Sequence, residues 1–188
     1  MPMAIALLIL VGAMWIVRVL DSFDNDGVSV AGIGVVPRTW SGLSGIIVAP
    51  LIHADWGHLL ANTPPLIVLS ILILFRGVPE YMFVLLTTTF VSGLGTWLFG
   101  TGQTQHIGAS GVVLGFTGFL LFRSAFDRRL SSFVITLIVA GIYASAVVMS
   151  LVPRGWFSWS MHFFGFVGGF VAARLRYPSR RGLTIVSN

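Results

Sequence analysis

Long apolar runs separated by short polar or glycine-rich breaks dominate the chain. A helix that crosses a bilayer needs about 20 mostly apolar residues. The first run of that kind is Met3 to Leu20, "MAIALLILVGAMWIVRVL". No basic segment precedes it, and no small-x-small cleavage site leads into a soluble domain, so the pattern predicts a span rather than a secretory leader. Arg18 stands near its end, where a long stem lets the charge reach the interface. Further runs predict spans at roughly 58–75, 80–99, 108–123, 131–150 and 158–175. The run at 108–123 carries glycines at 108, 111, 115 and 118, which suit close helix contact within a membrane and mark a buried central span. The expected fold class is therefore an all-α membrane protein. Six spans (the first at about 3–20) form one membrane domain over 1–188, and a basic tail covers 176–188.

One stretch breaks the pattern. After the polar exit "DSFDNDG", residues up to Gly57 mix glycine, proline, tryptophan and short apolar runs. That is too interrupted for a regular span and too apolar for an aqueous loop. It predicts an element lying in or dipping into the interface, with Trp40 and Trp56 as anchors. Irregular backbone at that depth must be shielded by protein.

Composition sharpens this picture. Charged residues make up 9% of the chain and hydrophobic residues 56%, with a mean hydropathy of +0.94. A soluble domain carries about 25% charged residues, so an ordinary water-facing surface is excluded. Cysteine is absent, which removes a disulfide framework and thiolate metal sites. The formal net charge is +5, and all 11 basic residues are arginines scattered between or after the apolar runs. A nucleic-acid partner would need them clustered on one surface, so none is expected. Their partition is instead a topology signal. With both termini cytoplasmic, eight arginines (76, 123, 128, 129, 174, 176, 180 and 181) fall on the inner side. Three (18, 38 and 154) fall on the outer side. The asymmetry predicts a multi-pass protein of the cell membrane with a long first external loop.

Polar side chains at membrane depth are costly and are functional candidates by default. His58 and Asn62, four apart in "HLLAN", share one helix face. Ser110 begins the fourth span within "GASG", and His162 lies about one turn into the sixth. All three regions start on the same side of the membrane in the predicted topology. A serine hydroxyl is a poor nucleophile until a base takes its proton. His162 is the strongest base candidate, because His53 and His106 fall in the external loops. His58, Asn62 and the Ser110 backbone N–H can donate to a developing oxyanion. No acidic residue lies within the fourth or sixth predicted span, which favours a Ser-His dyad over a triad. Each feature also has a packing reading. Ser110 can bond its own helix backbone, His162 can brace two helices, and His58 and Asn62 can cap or brace one. Gly165 and Gly169 read as a packing face. His53, Asp55 and His58 are close in sequence, but no closed ligand set emerges, so neither a metal nor another cofactor is expected.

Taken together, "HADWGHLLAN" (53–62), "GASG" (108–111) and "HFFGFVGG" (162–169) occur in an order that resembles the rhomboid family of intramembrane serine proteases. The resemblance extends to the six-span plan and the long first loop, and implies a rhomboid-like bundle with that loop partly embedded. It matches Ser110 to the nucleophile and His162 to the general base. His58, Asn62 and the Ser110 N–H match the oxyanion donors. Gly108 and Gly111 match the small residues around the serine, and Gly165 and Gly169 the face that brings span six against span four. His53 matches a supporting histidine. The implied partners are membrane lipid and transmembrane protein substrates, cut near the outer face. Leu114 departs from the family, which often has an aromatic there that packs on the catalytic histidine. Two other functions compete: a non-proteolytic rhomboid-like protein that binds client helices, and a small transporter. The transporter lacks the inverted repeat that many such folds carry.

Overall fold

A computed structural model describes residues 2–23, 33–102, 105–152 and 158–178. Seven α-helices follow one another: α1 (Pro2–Ser22), α2 (Trp40–Val48), α3 (Trp56–Leu74), α4 (Val78–Phe99), α5 (Ser110–Asp127), α6 (Leu130–Leu151) and α7 (Trp159–Arg176). A 3₁₀ turn, Ala49–Leu51, extends α2. The residues of the expected tail from 179 onward lie outside the described residues.

Helix starts follow local chemistry. The Thr39 and Asp55 side chains accept from Gly42 N–H (3.1 Å) and His58 N–H (2.7 Å), capping α2 and α3. Gly77, at φ 101°, turns the chain sharply into α4, whose first turn holds Pro79. Pro64 and Pro65 lie inside α3, a placement that membrane helices tolerate better than soluble ones.

Six spans are expected from the sequence, but among the described residues four helices are long and apolar enough to cross a membrane: α1, α3, α4 and α6. The other two, α5 and α7, are 18 residues each and more polar. The reason lies in where they sit. Helix α5 is buried without interruption from Gly111 to Leu120, and its packing against α7 is the most extensive of any helix pair. A helix enclosed by protein has no need of the apolar exterior that a lipid-facing one requires. By contrast α6 turns most of its surface outward, with Ile142 and Val148 both 61% exposed.

Glycine makes the central pair possible. A Cβ at Gly165 would lie 2.2 Å from the Gly111 carbonyl oxygen, and one at Gly169 would lie 2.1 Å from that of Gly115. The two backbones touch directly, as small-residue faces allow. Around them Leu66, Leu69, Ile73, Tyr81, Phe116, Phe119 and Leu120 form the fully buried core.

The two ends of the bundle differ. At one end, ion pairs and hydrogen bonds clasp the helix termini. Arg76 reaches Asp127 (3.0 Å) and Ser132 (2.9 Å), the fully buried Arg123 lies 3.8 Å from Asp127, and Glu80 takes hydrogen bonds from Arg176 and Tyr177. At the other end, the segment before α3 folds back over the helices. Val35 and His106 exchange both backbone hydrogen bonds (3.0 and 2.9 Å), Arg38 N–H donates to Trp97, and Trp97 Nε1 donates to the Thr39 carbonyl. Trp40 stands 88% exposed on this segment, a location suited to an interfacial anchor.

Candidate active site

Ser110, His162, His58 and Asn62 meet at the end of the bundle covered by that segment. Ser110 is the first residue of α5, so its N–H is among those that a helix leaves without an internal partner. Helix α7 begins with Ser158 as its N-cap, placing His162 one turn in. The close backbone contact along Gly165 and Gly169 carries that turn up to α5. His162 Nε2 lies 2.8 Å from Ser110 Oγ. His162 is 6% exposed, so the contact is largely screened from solvent.

The second ring nitrogen fixes the tautomer. His162 Nδ1 is 3.2 Å from the backbone carbonyl of Ser150, near the end of α6. A carbonyl can only accept, so in the neutral ring Nδ1 carries the hydrogen and Nε2 is left to accept from the serine hydroxyl. The third group of the arrangement is therefore a backbone oxygen from another helix. A carbonyl has no sequence signature, and no side chain at 114 is needed for it. Leu114 instead lines the cavity beside the pair.

That cavity has a volume of about 360 Å³. His58, Asn62, Ser110, Ser150 and His162 supply its polar lining, and Ala61 and Pro65 of α3 and Met149 of α6 flank it. Asn62 Nδ2 donates to the His58 carbonyl (2.9 Å). An amide nitrogen has two hydrogens, so this bond orients the side chain and leaves one donor for the cavity.

The loop before Ser110 is held by several contacts. Gly108 adopts φ 108°, which favours glycine, and a Cβ there would come 2.6 Å from the His58 ring. Its N–H donates to the Ala49 carbonyl (2.9 Å). The next residue, Ala109, donates its N–H to His53 Nε2 at 3.4 Å. The His53 and His58 rings pack edge to face, 5.0 Å apart. Burial, reinforced by neighbouring His58, lowers the His53 pKa to about 4 against the pull of the Leu51 backbone and Asp55. His53 is therefore neutral near pH 7 and accepts a hydrogen bond from the serine loop. Gly111 packs under Ser92, whose hydroxyl donates to the Met161 carbonyl (2.8 Å). Among the described residues no group of three metal-ligating side chains is assembled.

All the polar residues singled out in the sequence thus stand in one place. The Ser150 carbonyl and the His106–Ser158 contact, 2.5 Å between His106 Nδ1 and Ser158 Oγ, were not among them. A loop histidine gives no sign in sequence that it is buried.

Comparison with known proteins places the chain in a family. The model of the Rhomboid domain matches residues 39–179. An uncharacterised protein of Mycobacterium tuberculosis, Rv1337, is 38% identical over 90% of this chain and 73% of its own length. A second, ML1171 of Mycobacterium leprae, is 35% identical over 91% of this chain and 70% of its own. YdcA of Bacillus subtilis, whose name assigns it provisionally as a rhomboid protease, is 26% identical over 93% of this chain and 88% of its own. With three quarters of its length matched by that family model and its helices packed as a membrane bundle, this chain belongs to the Rhomboid family of multi-pass membrane proteins.

Proposed function

We propose that the chain is an intramembrane serine endopeptidase that cleaves transmembrane protein substrates. The observation that carries this reading is the 2.8 Å approach of His162 Nε2 to Ser110 Oγ, with Nδ1 held by the Ser150 carbonyl. This is the nucleophile, base and orienting group that acyl transfer by serine requires.

In this mechanism Ser110 Oγ bonds to the scissile carbonyl carbon while its proton passes to His162 Nε2. The carbonyl electron pair moves onto oxygen, where the Ser110 N–H, Asn62 and His58 donate to it. Collapse breaks the C–N bond, and His162 gives its proton to the departing amine. A water molecule then repeats the sequence on the acyl-enzyme: His162 takes its proton, hydroxide adds to the carbonyl, and Ser110 leaves with the proton restored. Gly108, Gly111, Gly165 and Gly169 keep the pair close, and His53 holds the Ala109 N–H.

In the bilayer, α5 and α7 complete a six-span domain with α1, α3, α4 and α6. Their polar faces are sheltered by those four. Both termini face the cytoplasm of a cell membrane, and the Ser110 end faces outward, so cleavage falls near the outer surface. The arginines grouped at the opposite end (Arg76, Arg123, Arg176) support that orientation.

A serine-directed fluorophosphonate tests the assignment. Purified full-length chain in detergent should be labelled at Ser110, located by mass spectrometry, and the label should vanish in Ser110→Ala. A protein that only binds client helices would take up no label, and that result would replace this reading.

A further inference from the structure

The contact between His106 and Ser158 repeats the candidate reacting pair four residues earlier in each segment. His106 precedes Ser110 by four residues, and Ser158 precedes His162 by four. Both pairs are hydrogen-bonded, at 2.5 and 2.8 Å, with the histidine and serine exchanged between the two segments. On the α7 side the backbone makes the same connection, His162 N–H bonding to the Ser158 carbonyl, whereas His106 lies before α5 in a bridge with Val35.

His106 is well placed to hold that turn. Its ring is 5% exposed, and its backbone is fixed to Val35 by two hydrogen bonds. His106 Nδ1 and the Ser158 hydroxyl share one hydrogen bond. The Ser158 oxygen in turn accepts from Met161 N–H at 3.4 Å, which caps α7. A chain of bonds therefore runs from Val35 in the segment before α2, through His106 and Ser158, to the turn that carries His162.

We infer that His106 is a positioning residue: through Ser158 it sets the register of the first turn of α7 against the serine loop, and so the approach of His162 to Ser110. The inference rests on the reading of Ser110 and His162 as the reacting pair. Its structural half, that His106 orders the start of α7, stands apart from that reading. Misplacement of a reacting group by about 1 Å can cost a hundredfold in rate, so a hydrogen bond one turn away has ample leverage.

The test uses purified full-length protein and a fluorophosphonate probe, separating the maximal labelling rate from the probe's half-saturation. His106→Ala should lower the maximal rate about tenfold and leave half-saturation unchanged. His106→Asn, whose amide occupies the Nδ1 position, should restore most of it. Ser158→Ala should show a similar loss, and the double variant should lose no more than either single one, because both break the same contact. If His106→Ala does not fold, Ser158→Ala and His106→Asn still decide the matter. Losses that multiply in the double variant, or a His106→Ala rate equal to wild type, overturn the inference. Amide hydrogen exchange supplies the second readout. Met161 and His162 should exchange faster in His106→Ala, while amides in the middle of α5 stay protected. Labelling that survives Ser110→Ala would defeat the reacting pair alone. Unchanged exchange at Met161 and His162 would defeat the role of His106 alone.

Discussion

His162 Nδ1 faces the carbonyl oxygen of Ser150 at 3.2 Å, so a helix other than the two bearing Ser110 and His162 orients the ring. In Ser-His-Asp sites a carboxylate does this and also stabilises the imidazolium that forms. A carbonyl supplies orientation with a partial charge only. Leu114, which lines the cavity beside the pair, is compatible with this arrangement because the Ser150 carbonyl already restrains the ring. Helix α6, which turns most of its surface outward, thereby becomes part of the site.

Of the proposed oxyanion donors, Asn62 is the side chain whose removal is simplest to read. Its orienting bond to His58 is internal to α3, so Asn62→Ala leaves the helix intact. The expected loss is about 10²-fold in kcat with little change in KM, measured on a cleavable transmembrane reporter. A rise in KM at constant kcat would instead assign Asn62 to substrate binding.

The glycine contacts between α5 and α7 predict a sharp contrast. Gly169→Ala places a methyl group 2.1 Å from the Gly115 carbonyl oxygen. Overpacking of this kind costs about 1–3 kcal/mol, and here it also pushes His162 away from Ser110. Gly12→Ala in α1, with nothing within 4 Å of the added carbon, should be neutral. Thermal unfolding in detergent and the fluorophosphonate labelling rate, measured on both variants, check the two halves of the expectation.

His53 predicts a pH dependence of stability. Its folded pKa is about 4, below the ordinary 6.5, so the unfolded chain takes up more protons between those values. The stability it contributes is complete above about pH 6.5 and is lost as pH falls through about 4. Wild type should therefore lose stability over that interval faster than His53→Ala does, although the variant is the less stable of the two at pH 7. Parallel pH curves for the two proteins would contradict the buried, neutral ring.

Topology is directly measurable, since the chain has no cysteine. Ala54, exposed near the Ser110 end, and Arg129, exposed at the opposite end, are suitable single-cysteine positions. Ala54→Cys should react with a membrane-impermeant maleimide on intact cells. Arg129→Cys should react only after permeabilisation. The reverse pattern would invert the proposed orientation.

Some of this was written plainly in the sequence, and some was not. Long apolar runs marked α1, α3, α4 and α6, and they are purest in α1 and α6, which bury least of their surface. Helices α5 and α7 left a weaker trace, since burial by protein lets them be glycine-rich and polar. Helix α2 left almost none: Gly42 and Gly45 look like breaks, yet added side chains there would strike the Val36 and Gly34 backbones, so tertiary packing overrides local propensity. Ser110, His162, His58 and Asn62 stood out because polar groups are costly at that depth. The Ser150 carbonyl did not, because every residue has one. His106 looked like an ordinary loop histidine, and its spacing with Ser158 acquires meaning only from the contact between the two.

The central claim is that Ser110 and His162 act together on a peptide bond. The most direct measurement is cleavage of a single-span transmembrane reporter in liposomes by the full-length chain, alongside Ser110→Ala and His162→Ala. The account predicts cleavage by wild type, located near the membrane face that the Ser110 end occupies, and none detectable with either variant. Undiminished cleavage by either variant would contradict it.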